Sequence, residues 1–85
     1  MISLYELDIN STGIVNSIDN KYDSKVRLAE MGLMPGVKLR LIKKSPFSGP
    51  IQIKINNYYL TLRKEDAELI TLEIAKWIRF QELQS

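Results

Sequence analysis

Alternating apolar and polar residues in the second half of the chain predict a β-hairpin and the strand that precedes it. Apolar residues alternate over 51–55, and a second apolar run over 58–62 follows directly after Asn56-Asn57. Asn tolerates the positive φ that a two-residue turn needs, so the two runs are typical of paired strands. Residues 37–41 alternate in the same way and predict one more strand. The hairpin residues expected to face inward are Ile51, Ile53, Ile55, Tyr58, Leu60 and Leu62.

A helical spacing of apolar residues marks a segment in the first half of the chain. It predicts a helix from about residue 21 to 31, with an apolar stripe made of Tyr22, Val26, Leu28, Ala29 and Met31. Its polar positions, expected to point largely outward, are Lys25, Arg27 and Glu30. Asn20 is a candidate N-cap, and Gly32 suits the left-handed residue that ends a helix. Pro35-Gly36 then suits a type II turn.

Shorter signals complete a mainly β fold. They predict a helical turn near residues 4–7, a β-branched strand over 14–18, a helical turn over 64–67 and a closing strand over 69–72. Five short strands, with one helix inserted between the first and second, predict a small, partly closed β-barrel. This barrel domain is expected to span residues 1–72.

Residues 73–85 form an extension beyond that barrel. Ile74, Trp77 and Ile78 fit helical spacing, although part of the segment also fits a period of two. Helix-forming residues such as Ala75 and Lys76 favour a helix. The extension can cover its own barrel or pack on the barrel of a second copy, and the sequence leaves both arrangements open.

The composition argues against most catalytic chemistry. The 85 residues include no Cys and no His, so there is no disulfide framework, thiol nucleophile or imidazole ligand. We therefore expect no enzyme activity, no cofactor and no metal site. No apolar run reaches the roughly 18 residues of a membrane span, and the start of the chain lacks the basic region of a signal peptide. These features favour a cytoplasmic protein without membrane insertion.

The net charge of +2 conceals a basic middle of the chain. The charged residues between Glu30 and Glu65 are all basic, namely Lys38, Arg40, Lys43, Lys44, Lys54, Arg63 and Lys64. With Tyr59 facing outward among them, such a sheet is one way to bind RNA. The plainer interpretation is that these are the polar positions of alternating strands. It is favoured because acidic residues elsewhere nearly cancel the charge, so no nucleic acid is expected as the partner.

Two other candidate sites are weak. Glu65, Asp66 and Glu68 form the densest carboxylate group, but adjacent residues of a helical turn point in different directions, which disfavours a shared cation. The glycines lie too far apart for a phosphate-binding loop, and no Gly-Lys-Ser/Thr sequence follows any of them.

Several large apolar residues stand where a short chain can hardly bury them. Phe47 lies at the tip of a loop bracketed by prolines, and Met34 precedes the Pro35-Gly36 turn. Trp77 and Phe80 add aromatic surface on the extension. The loop and the extension that carry these residues either fold back on the barrel as a lid or form a contact patch for a partner.

Three sequence segments resemble the ferrous iron transport protein A (FeoA) family. Residues 27–36, RLAEMGLMPG, are similar to its signature Arg-Leu-x-x-Leu/Met-Gly-Leu-x-Pro-Gly. Pro46 with Gly49-Pro50-Ile51 resembles its loop before the central hairpin, and residues 60–67, LTLRKEDA, resemble its closing segment. The resemblance runs from about residue 4 to 72.

The resemblance implies an SH3-like β-barrel and a binding function. It implies a cytosolic accessory to the FeoB ferrous-iron permease, whose cytoplasmic part is a GTPase. A similar barrel forms the C-terminal domain of iron-dependent repressors. We expect no such role for this chain, because it has no room for their DNA-binding and metal-binding domains. We expect the partner-binding residues to be Met34, Phe47, Tyr59, Arg40 and Lys54. We expect the residues that shape the loops to be Arg27, Leu28, Gly32, Pro35, Gly36, Gly49, Pro50 and Arg63.

Overall fold

A curled antiparallel sheet organises the chain in the computed structural model, which describes residues 1–74. Its strands are β1 (Ile2–Ser3), β2 (Thr12–Ile18), β3 (Lys38–Lys44), β4 (Ile51–Ile55), β5 (Tyr58–Leu62) and β6 (Ile70–Ile74). Its α-helices are α1 (Ser24–Glu30) and α2 (Lys64–Ala67), with 3-10 turns at Leu4–Glu6 and Lys21–Asp23. The strand order is β1-β6-β2-β3-β4-β5. The predicted mainly β fold with one inserted helix is confirmed, with the short β1 added to the five predicted strands.

Alternation along the strands places one continuous apolar core inside the sheet. Every second residue of β4 is buried, and the same face of β3 contributes Leu39 and Leu41. Register shifts between Val15 and Ser17 in β2 and between Leu41 and Lys43 in β3 interrupt the ladders. Such bulges bend a strand and increase its twist, which lets six short strands wrap around one core.

The predicted helix is shorter and is rotated relative to the expectation. Tyr22 and Asp23 have φ of 57°, which breaks the segment into a 3-10 turn and α1. The Ser24 hydroxyl lies 2.6 Å from the carbonyl oxygens of both Asp19 and Lys21, which fixes this kink from inside the fold. The Asn20 side chain accepts a hydrogen bond from the backbone N–H of Lys25, so it caps α1 from before the kink.

The apolar stripe predicted for this helix was wrong at two positions. Tyr22 is 82% exposed and Val26 is 65% exposed, whereas the buried residues of α1 are Ser24 and Leu28. The kink turns the helix so that its narrow contact with the core runs through Leu28. Arg27, expected to point outward, is half-buried against α2.

The end of α1 follows the predicted geometry. Gly32 has φ of 97° and donates its N–H to the Ala29 carbonyl, while the Leu33 N–H reaches the Leu28 carbonyl. These two bonds form the Schellman motif, with Leu33 buried as its apolar residue. Gly36 has φ of 94° and the Val37 N–H bonds to the Met34 carbonyl, which confirms the predicted turn.

The predicted hairpin is also confirmed, with one change. Ile55 pairs with Tyr58 across the Asn56-Asn57 turn, and Asn56 has φ of 51°. Tyr58, expected inside, is 41% exposed because its hydroxyl reaches out to the Met31 carbonyl at 2.8 Å.

The last described strand ends two residues later than predicted. β6 continues through Glu73 and Ile74, which therefore belong to a strand and not to a helical extension. The rest of the extension, with Trp77 and Phe80, lies outside the described residues. Within residues 1–74, no helix has the length and apolar character needed to cross a membrane.

Candidate interaction surfaces

Three of the predicted contact residues meet on the outer face of the sheet. The register aligns Thr12 with Arg40, Arg40 with Lys54, and Lys54 with Tyr59, in one row across β2, β3, β4 and β5. Lys54 Nζ lies 5.6 Å from the centre of the Tyr59 ring, within the range of a cation–π contact. Tyr59 is 56% exposed, so part of its side chain can contact a ligand.

The row borders a shallow cavity of about 370 Å³, which we call the basic pocket. It is lined by Thr12, Lys38, Leu39, Arg40, Lys54 and Asn56. Lys38 lines the same pocket because it lies two residues before Arg40 on the same face of β3, a spacing that is visible in the sequence. With three cationic side chains on one surface, the basic pocket is suited to anionic groups such as carboxylates or phosphates.

Met34 lies on a different surface. A cavity of about 280 Å³, here the apolar groove, runs between the bulged part of β2 and α1 and is lined by residues 16–18, Lys25, Ala29, Leu33, Met34 and Pro35. It shares no lining residue with the basic pocket. Met34 lies at one end of this groove and is 48% exposed. The turn that begins at Met34 carries its side chain away from the core.

Phe47 lies at the tip of the loop between β3 and β4 and is 100% exposed. Both Phe47 and Ser48 adopt positive φ, 58° and 59°, while the Gly49 N–H bonds back to the Pro46 carbonyl. An aromatic residue with left-handed backbone is strained by about 1–2 kcal/mol. The fold thus holds an apolar ring in water at a cost, which is typical of a functional position.

Neighbouring contacts hold this loop in place. The Ser45 N–H bonds to the Pro50 carbonyl at 2.9 Å, and the Tyr5 hydroxyl donates to the Gly49 carbonyl at 3.3 Å. A Cβ at Gly49 would lie 2.9 Å from Ser45 Cβ, closer than real Cβ contacts allow. Gly49 is therefore required for the close approach of the two ends of the loop.

Arg27 and Asp66 join the helix to the end of the sheet. Arg27 donates two hydrogen bonds to the carboxylate of Asp66, at 2.9 and 3.0 Å, and Arg63 Nε lies 3.5 Å from the same group. The hydrogen bonds from Arg27 lower the pKa of Asp66, although burial opposes this. The sequence did not reveal this pair, since its partners are 39 residues apart. The one nearby signal is the placement of Arg63 three residues before Asp66.

The carboxylates considered as a cation site do not converge. Asp66 is buried in its contact with Arg27, while Glu65 and Glu68 are exposed. In the part of the chain that the structure describes, no three His, Cys, Asp or Glu side chains are grouped so that they could hold a metal ion.

Comparison with known proteins shows the family. The sequence model of the FeoA domain matches residues 2–74, nearly the whole described part of the chain. This chain belongs to the FeoA family. The FeoA-like protein from Clostridium acetobutylicum has 30% sequence identity and a TM-score of 0.78, over 86% of this chain and 85% of that one.

A more distant structure supports the fold alone. FeoA from Stenotrophomonas maltophilia, solved in complex with zinc and described as a prokaryotic SH3 domain protein, has 22% identity and a TM-score of 0.73. The match covers 86% of this chain and 91% of that protein. The SH3-like barrel is thereby confirmed.

One relative joins this domain to a transporter. A fusion protein of Fe(2+) transport protein A and Fe(2+) transporter FeoB from Porphyromonas gingivalis is 27% identical over 71 residues, 84% of this chain. The present chain spans 8% of the length of that relative. The chain thus belongs to a family associated with ferrous iron transport.

Proposed function

We propose that this chain is a non-catalytic, cytoplasmic accessory protein that binds the cytoplasmic GTPase part of a FeoB-type permease and supports ferrous iron uptake. The observation that carries the proposal is the fusion of the two proteins in one polypeptide in Porphyromonas gingivalis. Fusion holds two domains at high effective concentration, an arrangement that favours partners which contact each other.

The exposed side chains are suited to such an encounter. Phe47 offers an apolar anchor, and hot spots of interfaces are enriched in large aromatic residues. Met34 adapts to the shape of a partner because its side chain is unbranched and polarisable. Arg40 and Lys54 attract an acidic surface and speed the encounter, with Tyr59 beside them as a contact residue.

The chemistry of the described residues supports a binding function over catalysis. Asp66 is the one buried carboxylate among residues 1–74, and it is held ionised by Arg27. A general acid at neutral pH needs the opposite shift, a pKa raised toward 7. We therefore propose that this chain acts by contact and that the iron chemistry takes place on the permease.

A binding assay with the immobilised cytoplasmic domain of the permease tests the proposal. Wild-type chain is expected to bind, and the double variant Met34→Ala, Phe47→Ala to lose most of this binding. Val26→Ala, which truncates another exposed apolar residue that lines neither cavity, is the control and is expected to bind normally. Absence of wild-type binding would contradict the proposed partner. Undiminished binding by the double variant would contradict the assignment of Met34 and Phe47 as contact residues.

The basic pocket beside Tyr59 also suits single-stranded RNA, the alternative function. Phosphate contacts weaken steeply with salt, so RNA binding would appear as retarded migration at low ionic strength that disappears as salt rises. We expect no retardation at low salt. A shift of RNA mobility that Lys54→Glu abolishes would favour the alternative.

A further inference from the structure

The outer edge of β5 is the feature that leads beyond the proposed function. β5 pairs with β4 on one side, and no other strand of residues 1–74 pairs with it on the other. It is five residues long, and Tyr58-Tyr59-Leu60-Thr61-Leu62 contains no charge and no proline. Proteins usually protect such an edge with charged residues, prolines or bulges, because it is a ready template for another strand.

The register identifies the backbone groups that this edge presents. Residues that flank a two-residue hairpin turn form a hydrogen-bonded pair, and the pairs alternate from there. Ile55 pairs with Tyr58, so the N–H and C=O groups of Tyr58, Leu60 and Leu62 point toward β4. The N–H and C=O groups of Tyr59 and Thr61 point the other way, out of the sheet.

The side chains along this edge define what an added strand would meet. On the outer face it would lie beside Tyr59, whose ring is approached by Lys54 from β4 on the other side of β5. On the inner face it would meet the partly exposed Tyr58 and the half-buried Leu60. Since neighbouring side chains of a strand point to opposite faces, a suitable segment alternates acidic and apolar residues.

We propose that the β5 edge binds an extended acidic segment of the permease, which adds to the sheet as a further strand. This inference rests on the proposed function and specifies how the partner is recognised. Charge complementarity supports it, because every charged residue from 38 to 64 is basic. A second copy of this chain fits less well, since its own β5 carries no acidic residue that could meet Lys54.

Hydrogen exchange of the wild-type chain tests this without any substitution. In the free full-length chain the amides of Tyr59 and Thr61 are expected to exchange fast, and those of Tyr58 and Leu60 slowly. With full-length permease in lipid nanodiscs, protection of Tyr59 and Thr61 is expected to rise at least about tenfold. Protection already present in the free chain would overturn the inference, because the edge would then be covered by another part of the chain.

Two substitutions at one position separate the backbone from the side chain. Thr61→Pro removes an outward N–H and leaves the pairing with β4 intact, so it is expected to weaken permease binding at least about tenfold. Thr61→Val keeps the N–H and is the matched control, expected to bind within about twofold of wild type. Circular dichroism checks that both variants fold. If Thr61→Pro does not fold, the hydrogen-exchange measurement on the wild-type chain decides whether the β5 edge binds the permease.

The outcomes distinguish this inference from the function on which it rests. Binding of the permease without added protection at Tyr59 and Thr61 overturns the edge inference and leaves the accessory function standing. Lack of any binding overturns the accessory function and the edge inference together. Binding with protection, lost in Thr61→Pro and kept in Thr61→Val, supports both.

Discussion

Two turns of this chain adopt left-handed backbone by opposite means. In the turn after α1, Gly32 and Gly36 have φ of 97° and 94°, a conformation that glycine accepts at little cost. In the loop between β3 and β4, the same region of φ is occupied by Phe47 and Ser48. Both turns are tight, yet only one uses the residue type that relieves the strain.

The difference separates a turn that builds the fold from a loop that presents a side chain. The glycine turn ends a helix and brings the buried Leu33 onto the core. The strained loop buries nothing at its tip, since Phe47 is fully exposed. Strain kept without any gain in packing is best explained by what the exposed ring contacts outside the molecule.

The largest expected effect is at Gly32. A Cβ there would collide with the Tyr58 hydroxyl, in addition to the left-handed strain, and displace the bond from Tyr58 to the Met31 carbonyl. Gly32→Ala is expected to lower the free energy of unfolding by about 3 kcal/mol, measured by denaturant titration. Gly36→Ala is the matched control with similar φ and nothing within 4 Å of its Cβ, and it is expected to cost about 1 kcal/mol. Equal losses at both positions would contradict this account of the collision.

Removing the Tyr58 hydroxyl tests the collision in a second way. The next closest atom to a Cβ at Gly32 is Tyr58 Cζ at 3.5 Å, an ordinary contact. Tyr58→Phe is therefore expected to restore about 1 kcal/mol in the Gly32→Ala background, although alone it costs about that amount. Strict additivity of the two substitutions would show that the clash is not the cause.

The loss of stability expected at Asp66 is smaller than that of Gly32→Ala. Asp66 anchors the helix that leads into the glycine turn. Asp66→Asn removes the charge from two hydrogen bonds with Arg27 and is expected to cost about 2 kcal/mol at neutral pH. Thr61→Ala, on an exposed edge position, serves as the control and is expected to change stability little.

The same pair predicts the direction of the acid dependence. Arg27 holds the pKa of Asp66 below its usual value of 3.8, so the folded state binds this proton more weakly than the unfolded state. The contribution of ionised Asp66 to the free energy of unfolding is complete above about pH 5. It is lost as the pH falls through 3.8 toward the lowered pKa. Asp66→Asn is expected to flatten this part of the stability profile. An unchanged acid limb in the variant would contradict the assignment.

The smallest expected effect has the opposite sign. Phe47→Asn replaces a strained aromatic residue by one that tolerates left-handed backbone, and no buried contact is lost. The variant is expected to gain about 0.5–1 kcal/mol while its affinity for the permease falls. A loss of stability would show that the ring supports the loop, and the loop would then not be strained for the sake of an outside contact.

The strands were predictable because a period of two fixes the face of each side chain. Arg40, Lys54 and Tyr59 were each expected outside, and the Asn56-Asn57 turn sets the register that aligns Lys54 with Tyr59. Gly32 and Pro35-Gly36 were predictable for the related reason that few other residues suit those backbone angles.

The helix was less predictable because a seven-residue helix needs only a narrow contact with the core. Tyr22 and Val26 fit the apolar period, but the kink at Tyr22-Asp23 turns both toward solvent. Nothing in the local pattern indicates that kink, because the Ser24 hydroxyl bonds that fix it form only in the folded segment. The pair of Arg27 and Asp66 depends on the whole chain path and could not be read from spacing.

The most direct test of the contact function is a titration of isotope-labelled full-length chain with the permease cytoplasmic domain, followed by amide chemical shifts. Saturable changes are expected, concentrated at Met34, Arg40, Phe47, Lys54 and Tyr59, while Tyr22 and Asp23 at the kink before α1 are expected to stay unaffected. Shifts confined to the kink, or no shifts at all in an excess of the domain, would contradict it.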